Sequence, residues 1–181
     1  MIGKLRISVL FVAVALNSAT ATAQDDPLLE QSREVTAEFA ARMQAALQQG
    51  MASGGPVAAI GVCKDIAPDI AERLSAESGA AVSRTSLKVR NPDNAPEDWQ
   101  SDVLDEFESG ETEEFFERVG EAGGRYMKAI PTGSLCLNCH GTVLPPDVAA
   151  RLKAAYPRDE ATGYYLGDVR GAFSVVWPAT D

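Results

Sequence analysis

Residues 136–140 read Cys136-Leu137-Asn138-Cys139-His140, and no other stretch constrains this chain as much. The C-x-x-C-H spacing is the one by which c-type haem is attached. Two thiols two residues apart can add to the two vinyl groups on one edge of the macrocycle. The next side chain, His140, then lies under the iron and can donate an imidazole nitrogen. A covalent tether keeps the cofactor from being lost to dilution. The competing readings are a redox-active C-x-x-C and half of a zinc site.

The N-terminus is consistent with that chemistry. Lys4 and Arg6 form a short basic region, residues 7–16 are apolar, and Ala21-Thr22-Ala23 gives small residues before a cleavage point. Residues 1–23 are therefore predicted to be a secretory signal, too short and wrongly flanked for a permanent membrane span. An uncleaved anchor is the alternative. Haem attachment to cysteine takes place outside the cytoplasm, so the expected location is periplasmic. No later run approaches 18 apolar residues, and a soluble mature domain over residues 24–181 is expected. Losing Lys4 and Arg6 with the leader takes the formal charge from −10 to −12. Such an acidic chain argues against nucleic acid and against an anionic membrane surface. It suggests a redox partner protein with a basic patch.

Helices are read over residues 27–49, with Gly50 as the stop, and from Asp65 as N-cap to about Ser78. Residues 51–56 are a Gly-rich break, and residues 57–62 a buried strand or loop. Further helices are expected over residues 97–108 and 147–156. Strands are expected over residues 81–89, 126–130 and 172–177. Residues 115–119 form a short apolar patch. Trp99, Phe107 and Tyr126 are read as ordinary core, with walling of the haem as the alternative. Strands scattered among helices favour an α+β fold, with an antiparallel β-sheet flanked by helices in a single domain.

His140 is the only histidine, which excludes two histidine ligands. The mature chain offers Met43, Met51, Met127 and Cys63 for the second axial position. Methionine is the usual partner in small cytochromes. Yet Met43 falls on a helix stripe, Met51 in the break and Met127 in a strand. Cys63 is an odd thiol in an oxidising compartment, expected to point inward near a helix N-terminus whose dipole favours an anion. A small buried apolar thiol is the plainer reading. Arg84, Lys88 and Arg90 cluster in an acidic chain. In a strand Arg84 and Lys88 would share a face, and such cations suit the two haem propionates. Pairing with neighbouring acids is the other possibility.

Several stretches resemble a family of periplasmic monohaem c-type proteins with a PAS-like fold and His/Cys axial ligation, long listed as a domain of unknown function. They are Ile60-Gly61-Val62-Cys63 with Ala67-Pro68, Arg84-Thr85-Ser86-Leu87-Lys88-Val89-Arg90-Asn91-Pro92, and Cys136 to Gly141. Tyr156-Pro157, Gly163-Tyr164 and Arg170-Gly171-Ala172 complete the set, spanning about residues 57–177. The resemblance implies Cys63 as the second iron ligand opposite His140, one haem c, and a PAS-like domain. With both axial positions filled by protein, an electron carrier or redox sensor is expected rather than an enzyme. The alternatives are a haem-based gas or redox sensor acting on a separate partner and a zinc protein using Cys63, Cys136, Cys139 and His140. Adjacent Cys139 and His140 are awkward ligands for one tetrahedral ion.

Overall fold

The computed structural model describes residues 26–179; the expected signal segment, residues 1–23, lies outside them. Four antiparallel strands form one sheet. They are β1 (Ala81–Thr85), β2 (Glu114–Val119), β3 (Gly123–Pro131) and β4 (Val169–Trp177), in the order β1-β4-β3-β2. The α+β reading holds. Residues 115–119, read only as an apolar patch, are in β2, because their pairing partner in β3 follows a tight turn at positive-φ Gly120.

Alternation along the strands gives the sheet two buried faces. Tyr126, Phe173, Val175 and Trp177 point to one face. There they meet Leu29 and Phe39 of α1 (Pro27–Gly61) and Ile70 and Leu74 of α2 (Ala67–Ser78). Met127, Ala129 and Ala172 point to the other, under Val103, Leu104 and Phe107 of α3 (Asp98–Ser109). The buried Trp177 indole donates to Ser32 Oγ at 2.8 Å, which fixes α1 on β4. Two short helices complete the chain: α4 (Leu137–His140) and α5 (Pro146–Ala155). Among the described residues, no helix is long and apolar enough to cross a membrane.

The region before Cys63 departs from the sequence reading. Gly50 does not stop α1, which is helical through Ser53 and breaks at Gly54 (φ −168°, ψ 24°) and Gly55 (φ 66°, ψ −159°). Only glycine takes the Gly55 conformation without strain. Pro56 then opens a second helical run, a position where its missing N–H costs nothing. Residues 57–61 are thus helical rather than strand or loop. The chain folds back sharply: a Cβ on Gly50 would lie 2.9 Å from Val62 Cγ2 and 3.1 Å from Ala59 Cα. Gly50 is where the two helical runs touch.

One ion-pair cluster fastens α1 to the sheet edge. Arg33 meets Glu114 at 2.9 and 2.7 Å, and the Tyr126 hydroxyl donates to Glu114 at 2.7 Å. The hydrogen bond from Arg33 holds the Glu114 carboxyl down to about 2, below its ordinary value. A lowered carboxyl contributes stability in full above the unfolded value near 4.5 and loses it as pH falls toward 2. The expected result is an acid-unfolding profile that steepens between those limits. Glu114→Gln flattens it in circular-dichroism titrations; an unchanged profile would show that the cluster adds no stability.

Candidate functional site

The motif residues lie on a single turn of helix. Cys136 accepts from the His140 amide at 2.9 Å, and Leu137 from the Gly141 amide at 3.1 Å. Cys136 and Cys139, three apart on that turn, both open with His140 onto one cavity of about 840 Å³. That volume lies within the roughly 300–1,000 Å³ of cofactor pockets. All three cysteines are free thiols. Burial pushes the Cys139 thiol up. Gly141 is a steric requirement, since a Cβ there would sit 2.7 Å from the Leu137 carbonyl oxygen. The chain leaving the motif is tied to residues 163–164 by Gly163 N–H to Gly141 O at 3.1 Å and Tyr164 N–H to His140 O at 3.0 Å.

The hydrogen-bond network assigns the His140 tautomer. Nδ1 lies 2.7 Å from the Ala161 carbonyl oxygen, which can only accept, and 3.0 Å from Arg170 Nε, which can only donate; the shorter contact places the proton on Nδ1. Nε2 then keeps its lone pair, facing Arg170 Nε at 3.3 Å and Arg90 Nη1 at 3.4 Å. Burial first, then the Arg170 and Arg90 charges, pushes the imidazole pKa down to about 2. His140 is therefore neutral, the form that ligates a metal. A backbone acceptor on the far ring nitrogen is the usual way a ligating histidine is oriented.

Cys63 reaches the same cavity from a different element. It sits in a π-helical turn, Val62–Ile66, closed by Ala67 N–H to Val62 O. Pro68 follows in the first turn of α2 and cannot donate to the carbonyl four residues back. The wider turn accommodates that break, and such turns occur frequently at functional sites. The expected helix N-terminus is not there. The helical run begins at Pro56, two turns earlier, and Ile66 rather than Asp65 is the N-cap of α2. A dipole acts only over the first turn, so it offers Cys63 nothing here. Nearby Tyr156 is pushed up to about 12, by burial first and then by Cys63.

The methionines separate. Met127 is fully buried under α3 on the opposite face of the sheet, away from the cavity. Met43 and Met51 line the cavity from α1. Met51 belongs to a helix rather than the expected break.

The basic cluster also divides. Arg84 lines the cavity from β1, 5.7 Å above the Phe39 ring. Burial pushes its guanidinium below the usual arginine range. Lys88 does not line the cavity. The strand ends at Thr85, so Lys88 shares no strand face with Arg84, and its ammonium lies 4.8 Å over Tyr164. Arg90 lines the cavity but is buried and already committed. It pairs with Asp159 at 2.9 Å and donates to the carbonyls of Cys139 at 2.7 Å and Ala161 at 3.1 Å. It clamps the motif from beneath, the neighbouring-acid pairing weighed above.

Sequence reasoning missed Arg170. Its Nε lies 3.0 Å from His140 Nδ1 and 3.3 Å from Nε2, and Nη1 donates to Ser86 Oγ at 3.1 Å. Its only pointer in the sequence is the stretch Arg170-Gly171-Ala172 among those carrying the family resemblance; in the structure Gly171 of β4 has φ 149° and no room for a Cβ, which would meet Thr85 O at 2.3 Å. The tetrahedral alternative is not supported. Among the described residues, no group of three or more His, Cys, Asp or Glu is placed to hold one ion. A donor set of two vicinal thiols, a neutral imidazole and a separate thiol around a large cavity fits an iron-bearing macrocycle instead.

Comparison with known proteins gives a consistent result. A family model described as Tll0287-like matches residues 16–178. Among solved structures the chain is similar to the cyanobacterial heme-protein Tll0287. The two share 23% identity over 86% of this chain and 98% of that chain, with a TM-score of 0.69. No curated protein matches.

Proposed function

The chain belongs to the Tll0287-like family, and on that premise we propose that it is an exported protein with one covalent haem c that carries a single electron. Cys136 and Cys139 form the thioether bonds, and His140 Nε2 and Cys63 Sγ take the two axial positions. One observation carries the reading. A single helical turn sets both motif thiols and the neutral imidazole on a cavity into which a fourth donor, Cys63, also opens. The description of the similar structure as a heme-protein supports the cofactor.

With both axial positions filled from the chain, no position is left for a substrate, and outer-sphere electron exchange is the chemistry that remains. His140 is oriented by Ala161 through Nδ1, and Arg90 holds the motif turn against Asp159. Apolar side chains such as Leu47 and Ile60 of α1 and Ile130 and Phe173 of the sheet line the cavity. The electron partner is a separate redox protein, and the acidic net charge favours one with a basic surface.

Covalency is tested directly. Haem is expected to stay with the polypeptide through denaturing electrophoresis, and the Cys136→Ala/Cys139→Ala double variant to lose it. Extraction of haem from the wild-type protein by acidified organic solvent would refute the attachment.

A further inference from the structure

Five cationic side chains line the cavity: Arg33, Arg84, Arg90, Lys128 and Arg170. Three have a carboxylate partner. Arg33 pairs with Glu114 at 2.7 Å, Arg90 with Asp159 at 2.9 Å, and Lys128 with Glu113 at 3.8 Å. Arg84 and Arg170 have no carboxylate within 4.0 Å among the described residues. Arg84 has only the Phe39 ring beneath it, and Arg170 only the Ser86 hydroxyl, the imidazole of His140 and the Tyr164 ring, 5.5 Å away. Both side chains are half-buried on the cavity wall. A partly desolvated cation without a counter-charge is unfavourable, and an anion in the cavity relieves it.

The two arginines share one wall. Arg84 lies near the end of β1, and Arg170 near the start of its hydrogen-bonded neighbour β4, where Thr85 pairs with Ala172. Gly171 lets the two backbones approach closely enough to bring Arg170 onto Ser86. Both arginines line the cavity, from adjacent strands.

We propose that Arg84 and Arg170 form a two-point carboxylate cradle, one guanidinium for each propionate of the bound haem. This rests on the haem reading above and replaces Lys88 and Arg90 as the propionate contacts. Two uncompensated cations match two carboxylates, and the planar fork suits each bidentately. Arg170 has a second effect, because its charge lies beside the axial imidazole. Positive charge there disfavours ferric iron, so Arg170 raises the reduction potential and opposes the effect of a thiolate ligand.

The test compares haem-loaded wild type with Arg84→Gln, Arg170→Gln, Arg170→Lys and, as control, Lys88→Gln. Resonance Raman propionate-bending bands and the midpoint potential are the readouts. Each Gln variant is expected to shift the bending bands and lower the midpoint. Arg170→Lys, which keeps the charge, recovers most of the midpoint, and Lys88→Gln matches wild type in both. Unchanged bands and midpoint in Arg170→Gln would overturn the proposal, leaving Arg170 as a support for the imidazole. So would an Arg170→Lys midpoint as low as that of Arg170→Gln. A wild-type protein with no covalent haem would overturn the underlying reading, and the proposal with it.

Discussion

Cys63→Met raises the reduction potential by one hundred to several hundred millivolts, on the order of two to several steps of ~59 mV per ~1.4 kcal/mol for one electron. A thiolate places a full negative charge on the iron and stabilises the ferric state, which is one unit more positive than the ferrous. A neutral thioether removes that preference, and the low dielectric of the cavity enlarges the difference. Cys63→Ala opens the sixth position, giving a high-spin or water-ligated spectrum and binding of carbon monoxide to the reduced form. Optical spectra and potentiometry check both variants. A Cys63→Ala protein that stays low-spin at the wild-type potential would refute the assignment. Met43 or Met51, which line the same cavity, would then be the ligand, because Met127 lies on the far side of the sheet.

Arg90→Ala destabilises the haem-loaded protein by ~3–5 kcal/mol, the cost of breaking a buried ion pair from one side. Arg90 is 7% exposed and Asp159 10%, so water cannot replace the lost partner. The Cys139 carbonyl loses its side-chain donor at the same time, and the Ala161 carbonyl keeps only His140 Nδ1. At about 2–4 °C per kcal/mol for a domain of this size, the melting temperature falls by ~6–20 °C. Arg90→Lys recovers only part of it, since an ammonium cannot reproduce a fork spanning a carboxylate and two carbonyls. Thermal unfolding measures all three proteins. A loss below about 1 kcal/mol in Arg90→Ala would show that the pair adds no more than a surface contact.

The sequence was most legible where chemistry or periodicity is local. C-x-x-C-H announced itself by spacing, α3 by the apolar stripe of Trp99, Val103, Leu104 and Phe107, and α5 by the Pro145-Pro146 that starts it. Reading failed where the deciding partner is far along the chain. Gly50 looked like a helix stop, and only the approach of Val62 and Ala59 shows why a glycine is needed inside the helix. Cys63 was read as facing inward, as it does, but for a reason the structure replaces: a π turn ahead of Pro68, not a helix terminus. Arg90 was legible as a cation, yet its partner Asp159 lies 69 residues away. Arg170 carried no local signature that separates a cavity lining from an exposed strand end.

The fold-back at Gly54–Gly55 has a kinetic consequence. The contacts that place Cys63 join Gly50 to Ala59 and Val62, no more than a dozen residues apart, so they close a short loop at little entropic cost. The contacts that place His140 join Arg90 to Cys139 and Asp159 across much longer stretches. On contact range alone, the helical hairpin bearing Cys63 is expected to close before the turn bearing the motif is anchored. Under the haem reading proposed above, that order would leave the thiol free to bond the iron of a haem tethered at Cys136 and Cys139, and such a bond would draw the rest of the domain into register.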